Sequence, residues 1–418
     1  MTRLRLTLAA TLSLFLAAPR GVLLAQGGAA ASLQACGSSM DERMYEAYQQ
    51  ANKAGKPMDE ATIASTRAGI ARECLGKVRL ADLDLDALPV ATMLFRYARD
   101  TVRADSASQR MLAIVPGDRR PTALFALSMI WQGTPRGDRW MATLDSTRAA
   151  VAQLRFQAHA QNLEHYRHED VDEQVMQHAK AMIALAPEVG GTTEEFNAAM
   201  VSAYKGLAEV HGDYGQVDSA LAVLDRGIAK YGPVTKDTAE SLRTLRTRYA
   251  MVGQAAPPIE AKLWLNAPAG THTLPFTGKV TVLQFTATWC PPCRRSYPAM
   301  LALHERFGTQ PFQVVFETTL YGVFEGRKMG AAEEVASQRR YYLEKHGMRF
   351  PIAIYDTVSR AEGAPYANAN DDRYHLTDIP QVVVLDRQGR IRRIFVGWDA
   401  GHEKRIAELV AQLLAEKA

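Results

Sequence analysis

The chain has 418 residues, 47% of them hydrophobic, a formal net charge of +4 and four cysteines. That length is enough for two or three separate cores. The small charge gives no footprint for nucleic acid, and four cysteines are too few for a disulfide-built scaffold.

The N-terminus sets the expected compartment. Arg3 and Arg5 precede an apolar run, Leu6 to Ala18. The run is shorter than the ~20 residues of a membrane span, and Pro19-Arg20 interrupts it. Small residues continue to Ala31, so residues 1–25 read as a secretory signal peptide cut somewhere in 25–31. Leu33-Gln34-Ala35-Cys36 also resembles a lipobox, and a retained signal anchor is a third reading. All three place the rest of the chain outside the cytoplasm, with membrane attachment only if it is lipidated or signal-anchored. There Cys36 and Cys74 are expected to pair in a structural disulfide, worth about 3–4 kcal/mol in the chain-entropy picture. Lipidation of Cys36 would exclude that bridge, so the two readings compete for one sulfur.

Residues 36–252 read as an all-α region. Two short helices are expected between Ser38 and Gly76, around Gly55-Lys56-Pro57. Asp82-Leu83-Asp84-Leu85-Asp86 reads as a helix entrance rather than a metal loop, which needs more oxygen ligands. One long helix is expected from Val90 to Ile114, stopped by Pro116-Gly117, and another from Ala123 to Trp131. Gly133 to Gly137 reads as a turn, and Arg139 to His168 as one helix. Further helices are expected over Asp170 to Leu185, Thr192 to His211, Val217 to Tyr231 and Asp237 to Val252. His159, His165, His168 and His178 cluster in sequence without the ligand spacing of a zinc site and are expected on a solvated helix face. Tyr204, Leu207, Ala208, Gly215, Ala220, Leu224, Gly227 and Gly232-Pro233 resemble the spacing of a tetratricopeptide repeat (TPR). The region is therefore TPR-like, and such surfaces take protein partners.

Gly253 to Pro258 reads as a linker, because its prolines and glycine end helical periodicity. From 259 to 418 strand runs appear. An edge hairpin is expected over Ile259–Leu265 and Thr271–Leu274, then strands at Val280–Phe285, Phe312–Phe316 and Ile352–Tyr355. Val382–Leu385 and Ile391–Val396 form a hairpin across Asp386-Arg387-Gln388-Gly389. Helices are expected over Pro292–Phe307, Ala331–Lys345 and Glu403–Leu414.

The strand Val280–Phe285 runs into Trp289-Cys290-Pro291-Pro292-Cys293 and then a helix. A cysteine at a helix N-terminus faces unpaired N–H groups and the positive end of the dipole, which favour thiolate over thiol. Cys290 is thus the expected nucleophile and Cys293, one turn on, the resolving sulfur. A zinc ribbon would need a second pair of this spacing, and none is present.

These residues resemble the thioredoxin superfamily, and the Trp-Cys-Pro-Pro-Cys form is most similar to its extracytoplasmic TlpA/ResA-like branch. The resemblance covers about Ala255 to Ala418 and implies an α/β thioredoxin-like fold with a central mixed sheet there; with the all-α, TPR-like region before it, the chain reads as multidomain. The resemblance implies that Pro380 is cis and that Trp289, Ile379 and Pro380 form the substrate-docking surface. It also exposes two departures. The position of the thioredoxin proton-transfer aspartate is Gln284, and the glutamate many ResA-like members carry after the second cysteine is Ser296. Glu317, taken as the end of the next strand, is the candidate for proton transfer in their place.

The expected function is an extracytoplasmic thiol–disulfide oxidoreductase, with the reducing direction favoured and no metal or cofactor. Its partners would be protein thiols and disulfides, an upstream electron donor and a protein bound by the helical region. One alternative is a TPR-like binding module with an accessory redox domain. Another is a peroxiredoxin-type peroxidase, whose threonine three residues before the cysteine is here Ala287.

Overall fold

The computed structural model describes residues 29–416 except 55, 57, 77, 148–151, 170, 235, 262 and 358–367. The expected leader, residues 1–25, lies outside them. Two compact units divide the chain. The first reaches Glu169 and includes Ala181–Gly190; the second is Asp170–Lys180 with Gly191–Ala418.

The first unit is helical. Its helices are α1 (Ala29–Ser38), α2 (Met40–Lys53), α3 (Glu60–Leu75), α4 (Leu88–Tyr97), α5 (Thr101–Ile114), α6 (Arg120–Ile130), α7 (Pro135–Ser146) and α8 (Ala152–His168). Leu88, Ala91, Leu94 and Phe95 of α4 meet Leu127 and Trp131 in one core. Helix α9 (Asp172–Val189) carries Pro187 in its last turn, and Gly190 then turns left-handed at φ 59°.

Several expected boundaries move, each for a local reason. The long helix from Val90 breaks because Arg99 sits at φ 66° and Asp100 caps α5, accepting from the Arg103 N–H at 3.0 Å. Apolar periodicity continues across that break and conceals it. Residues 135–137 are no turn: Pro135 opens α7 and Thr134 caps it, accepting from the Gly137 N–H at 3.2 Å. Proline suits that first position, where no helical N–H is lost. The helix expected from Arg139 to His168 is likewise two, α7 and α8. His159 and His178 are not solvated, each being 2% exposed. His159 faces inward with Phe156 and Leu163, and its Nε2 lies 3.2 Å from Asp145 Oδ1.

The second unit joins three helices to a thioredoxin-like fold. Helices α10 (Glu194–Asp213), α11 (Val217–Tyr231) and α12 (Lys236–Tyr249) pack against one another. Fully buried Ala208 and Ala220 and Gly227 keep their side chains small. A Cβ on Gly227 would lie 2.9 Å from the Tyr204 ring.

A mixed six-stranded sheet follows, in the order β1-β6-β3-β2-β7-β8. Its strands are β1 (Leu263–Leu265), β2 (Val280–Phe285), β3 (Phe312–Leu320), β6 (Ile352–Asp356), β7 (Gln381–Leu385) and β8 (Ile391–Val396). β2 is parallel to β3 and antiparallel to β7, and all six of its residues are buried. Side chains of a strand alternate between faces. Val280 and Val282 therefore join Val314, Phe316 and Val384 beneath α13 (Pro291–Phe307) and α16 (Ala400–Ala415). Leu283, Phe285, Val315 and Leu385 form the other face, covered by Ile259, Phe276 and Tyr374. Between β3 and β6 come a small hairpin, β4 (Val323–Phe324) with β5 (Arg327–Lys328), and helix α14 (Ala331–Arg339). A π-helical turn, Arg340–Lys345, continues α14, and α15 (Ala369–Arg373) follows β6.

The expected edge hairpin is reduced to one bridge, Glu260 to Thr273. β1 pairs with β6 instead, which takes Leu265 into the core at 2% exposure. The stretch expected as a linker is bonded to the β7–β8 hairpin. Gly253 N–H donates to Ile391 O at 2.7 Å and Ala256 N–H to Gly389 O at 2.9 Å.

Candidate active site

The apolar strand β2 delivers the chain to the turn 286–290, and α13 starts at once. Cys290 is the N-cap residue of α13, and its Sγ accepts from the Cys293 N–H at 3.2 Å. The two sulfurs are joined in a disulfide. Cys290 is 3% exposed and Cys293 fully buried. After reduction, the N-terminal dipole and the Cys293 N–H favour a thiolate on Cys290.

Ile379–Pro380 is a cis peptide, and Ile379 O lies 3.6 Å from Cys290 Sγ. Two residues distant by 89 positions thus share the sulfur's surroundings. Trp289, at 57%, is among the most exposed large apolar side chains described. Its ring stands edge-on to Tyr321, centroids 5.6 Å apart. Tyr321 itself is held by a buried carboxylate the sequence did not mark. Glu334 Oε1 accepts from the Tyr321 N–H at 2.9 Å and Oε2 from the Gly322 N–H at 2.7 Å.

The two departures from the family pattern meet in space. Gln284 points to the α13 face, where its Nε2 donates to Ser296 Oγ at 2.8 Å. Ser296 Oγ donates in turn to the Cys293 carbonyl at 2.7 Å. Both side chains are fully buried. A neutral amide–hydroxyl chain therefore lies at the two positions where the resemblance leads one to expect carboxylates, and it fixes the first turn of α13 without adding charge.

Glu317 is not the end of its strand. β3 continues past it to Leu320 because β6 pairs with it from Phe316 onward. Glu317 is 2% exposed and accepts from Asn368 Nδ2 at 2.8 Å and Asn370 Nδ2 at 3.1 Å. Burial pushes its carboxyl up to about 8; Asp371 adds to the rise and the two asparagines oppose it. By strand alternation it shares the face of Val315, opposite Gln284 and α13. Asp371 is raised to about 7, by burial first and Asp372 second. Asn368, Asn370 and Asp371 gave no sequence signal, since they lie just after β6 in a stretch with no regular pattern.

Cys36 and Cys74 are bonded to each other within the helical unit, the pairing that lipidation of Cys36 would exclude. Arg43 Nη1 lies 3.8 and 3.9 Å from their sulfurs, and Arg43 pairs with Glu73. No group of three or more metal-ligating side chains is found among the described residues, and none of the described helices is long and apolar enough to cross a membrane.

Residues 251–413 match the Redoxin family. Thioredoxin-like protein YneN of Bacillus subtilis is 28% identical over 145 residues, which is 35% of this chain and 71% of the relative. The thiol–disulfide oxidoreductase ResA of Geobacillus kaustophilus is 27% identical over 124 residues, 29% of this chain and 57% of the relative. The match to ResA thus spans little more than half of that relative. The crystal structure of a thiol–disulfide isomerase from Corynebacterium glutamicum aligns with 39% of this chain and 98% of its own at 22% identity, with a TM-score of 0.31.

Proposed function

We infer that this chain, whose C-terminal domain is a TlpA/ResA-like thiol–disulfide oxidoreductase domain of the thioredoxin superfamily, exchanges disulfides with client proteins outside the cytoplasm, chiefly in the reducing direction. The observation that carries the reading is the Cys290 sulfur at the N-terminus of α13, 3.6 Å from Ile379 O beside the cis Pro380.

In the reducing direction an upstream donor first converts the Cys290–Cys293 disulfide to two thiols. Cys290 thiolate attacks one sulfur of the client disulfide, and the other client sulfur leaves as thiolate. Cys293 then attacks Cys290, the mixed disulfide breaks, and the client departs with both sulfurs reduced. Two electrons have moved, and the ring between Cys290 and Cys293 is restored. Trp289 supplies apolar contact. The Ile379 backbone is the edge onto which an extended client segment can add as a strand. Glu317 is proposed to hold a proton near the site. Its placement on the far sheet face makes any action on Cys293 indirect. The chemistry calls for no metal or cofactor.

Two features support an extracytoplasmic setting: the leader pattern of residues 1–25 and a disulfide, Cys36–Cys74, outside the active pair. Attachment to a membrane would require lipidation or a retained signal anchor. A second reading keeps the helical part as a TPR-like module that recruits the client. The close α10–α11 crossing at Ala208, Ala220 and Gly227 supports it.

Trapping tests the reading. With Cys293→Ser, attack on Cys290 is blocked, and mixed disulfides to client proteins should accumulate on Cys290. A chain whose Cys290–Cys293 pair never cycles, and which forms no such adduct, is not an oxidoreductase.

A further inference from the structure

The loop before Pro380 is gripped from outside the Redoxin-matching residues. Arg248 lies in α12, upstream of residue 251 where that match begins. Its side chain is 2% exposed. Nε and Nη2 both donate to His375 O, at 3.1 and 2.7 Å, and Nη2 also donates to Thr377 Oγ1 at 2.6 Å. Burial pushes the Arg248 guanidinium down, with Tyr249, Asp378 and Glu209 opposing the fall, and a buried guanidinium is expensive unless its donors are used. Here they are spent on one carbonyl and one hydroxyl of a single loop.

That loop runs directly into the docking edge. His375 sits at φ 48°, a left-handed conformation uncommon for a residue with a side chain. Thr377 donates to Asp378 Oδ2 at 2.9 Å, and Ile379–Pro380 follows. Beyond it, Gln381 Nε2 donates back to Tyr374 O at 3.1 Å and Gly397 N–H to Pro380 O at 2.8 Å. Downstream, the strand is fixed by the sheet. Upstream, Arg248 adds a hold on His375 and Thr377 to the backbone bonds of His375 and Leu376 to Asp372 and Asp371. Two neighbouring helices, α10 and α9, are fastened to α16. His402 Nε2 lies 2.9 Å from Asp213 Oδ2, and Arg405 pairs with Asp172 at 2.9 Å.

We propose that Arg248 is a positioning residue for disulfide exchange, holding the 375–378 loop so that Ile379 presents its backbone beside Cys290. The last helices before the redox fold then complete the client-docking edge rather than only recruiting a partner. The inference rests on the docking role given to Ile379 above.

The test uses full-length Arg248→Met, Arg248→Lys and Thr377→Val beside the wild type. Three readouts are taken: amide hydrogen exchange over 375–381, KM and kcat for insulin disulfides, and the rate with oxidised glutathione. In Arg248→Met, exchange over 375–381 should rise at least tenfold and KM for insulin five- to tenfold. Its kcat and its glutathione rate should stay within twofold, because the sulfurs are untouched. Arg248→Lys should recover part of the loss, and Thr377→Val should give a smaller effect in the same direction. Unchanged exchange over 375–381 in a folded Arg248→Met overturns the proposal, as does an equal loss on both substrates. If Arg248→Met does not fold, a Thr377→Val indistinguishable from wild type overturns it. A wild type inactive on both disulfides would sink the exchange reading instead, and hydrogen exchange would still decide the role of Arg248.

Discussion

The molecule carries two disulfides of opposite setting. Cys290–Cys293 closes over three residues at the N-terminus of α13, while Cys36–Cys74 spans 38. Cys36 lies in the last turn of α1 and Cys74 in the last turn of α3. A helix C-terminus presents unpaired carbonyls and the negative end of the dipole, which disfavour a leaving thiolate. The N-terminus of α13 does the reverse. Arg43 stands close to both sulfurs of the long bridge, but its charge is shared with Glu73. Helix polarity therefore marks one bridge for exchange and the other for holding helices together.

The sharpest way to break that comparison is to disrupt each bridge in turn. Cys290→Ser should abolish turnover of insulin disulfides while thermal unfolding stays close to wild type. The double variant Cys36→Ser, Cys74→Ser should do the opposite. Turnover should stay within about twofold, and the helical unit should lose about 3–4 kcal/mol, a fall in Tm of roughly 10 °C. A calorimetric scan with an exchange assay on the same samples reads both. If the double serine variant lost turnover at unchanged Tm, the long bridge would be a redox couple and the contrast would fail.

Much of this contrast was legible in the sequence, for reasons that can be located. Trp289 to Cys293 is local: strand, turn and helix start are contiguous, so composition and spacing carry the geometry. The element order of the redox fold was readable because β2 and β7 are short, β-branched, mostly apolar runs. What was lost is what depends on distant pairing. β1 left its expected partner for β6, and Glu317 was misplaced because its burial is decided by Asn368 and Asn370, about fifty positions later. Arg248 and Glu334 read as ordinary charged helix residues; only the fold shows that both hold loops at the site. In the helical unit, the α4–α5 break was hidden because the apolar period continues through Arg99. Gln284 and Ser296 were noticed separately as missing acids, but that they bond each other needed the sheet and α13 to meet.

Glu317 gives the next largest expected effect, and it separates the two units by pH. Its carboxyl is raised in the fold from the ordinary 4.5 to about 8. Between those values the folded chain keeps a proton that the unfolded chain has released. Stability contributed below the unfolded value is therefore lost as pH rises through that window. Asp371, raised to about 7, pulls the same way. Glu317→Gln keeps an acceptor for the asparagines and removes the ionisation. It should flatten the profile and stabilise the redox fold at pH 8 by on the order of a few kcal/mol. Urea unfolding at pH 5 and pH 8 checks this, and a variant with the wild-type slope would rule Glu317 out as the source.

The smallest effect expected is at Gln284, and it asks whether the neutral bed under Cys293 matters. The amide touches Ser296 rather than sulfur, and Ser296 reaches the Cys293 carbonyl. Gln284→Glu keeps the length of the side chain and places a carboxyl in the same fully buried position. Burial favours the protonated acid at first. Once ionised, its charge opposes a thiolate on Cys293 through a low-dielectric path. Because Cys293 acts in the resolving step, the cost should fall on release of the mixed disulfide and not on the first attack by Cys290. Single-turnover reaction with a fluorescent mixed-disulfide substrate separates the two steps. The attack rate should match wild type, and resolution should slow about tenfold above neutral pH, the equivalent of one pKa unit. Equal slowing of both steps would mean that Gln284 only supports packing, and that the contrast between the two bridges rests on helix polarity alone.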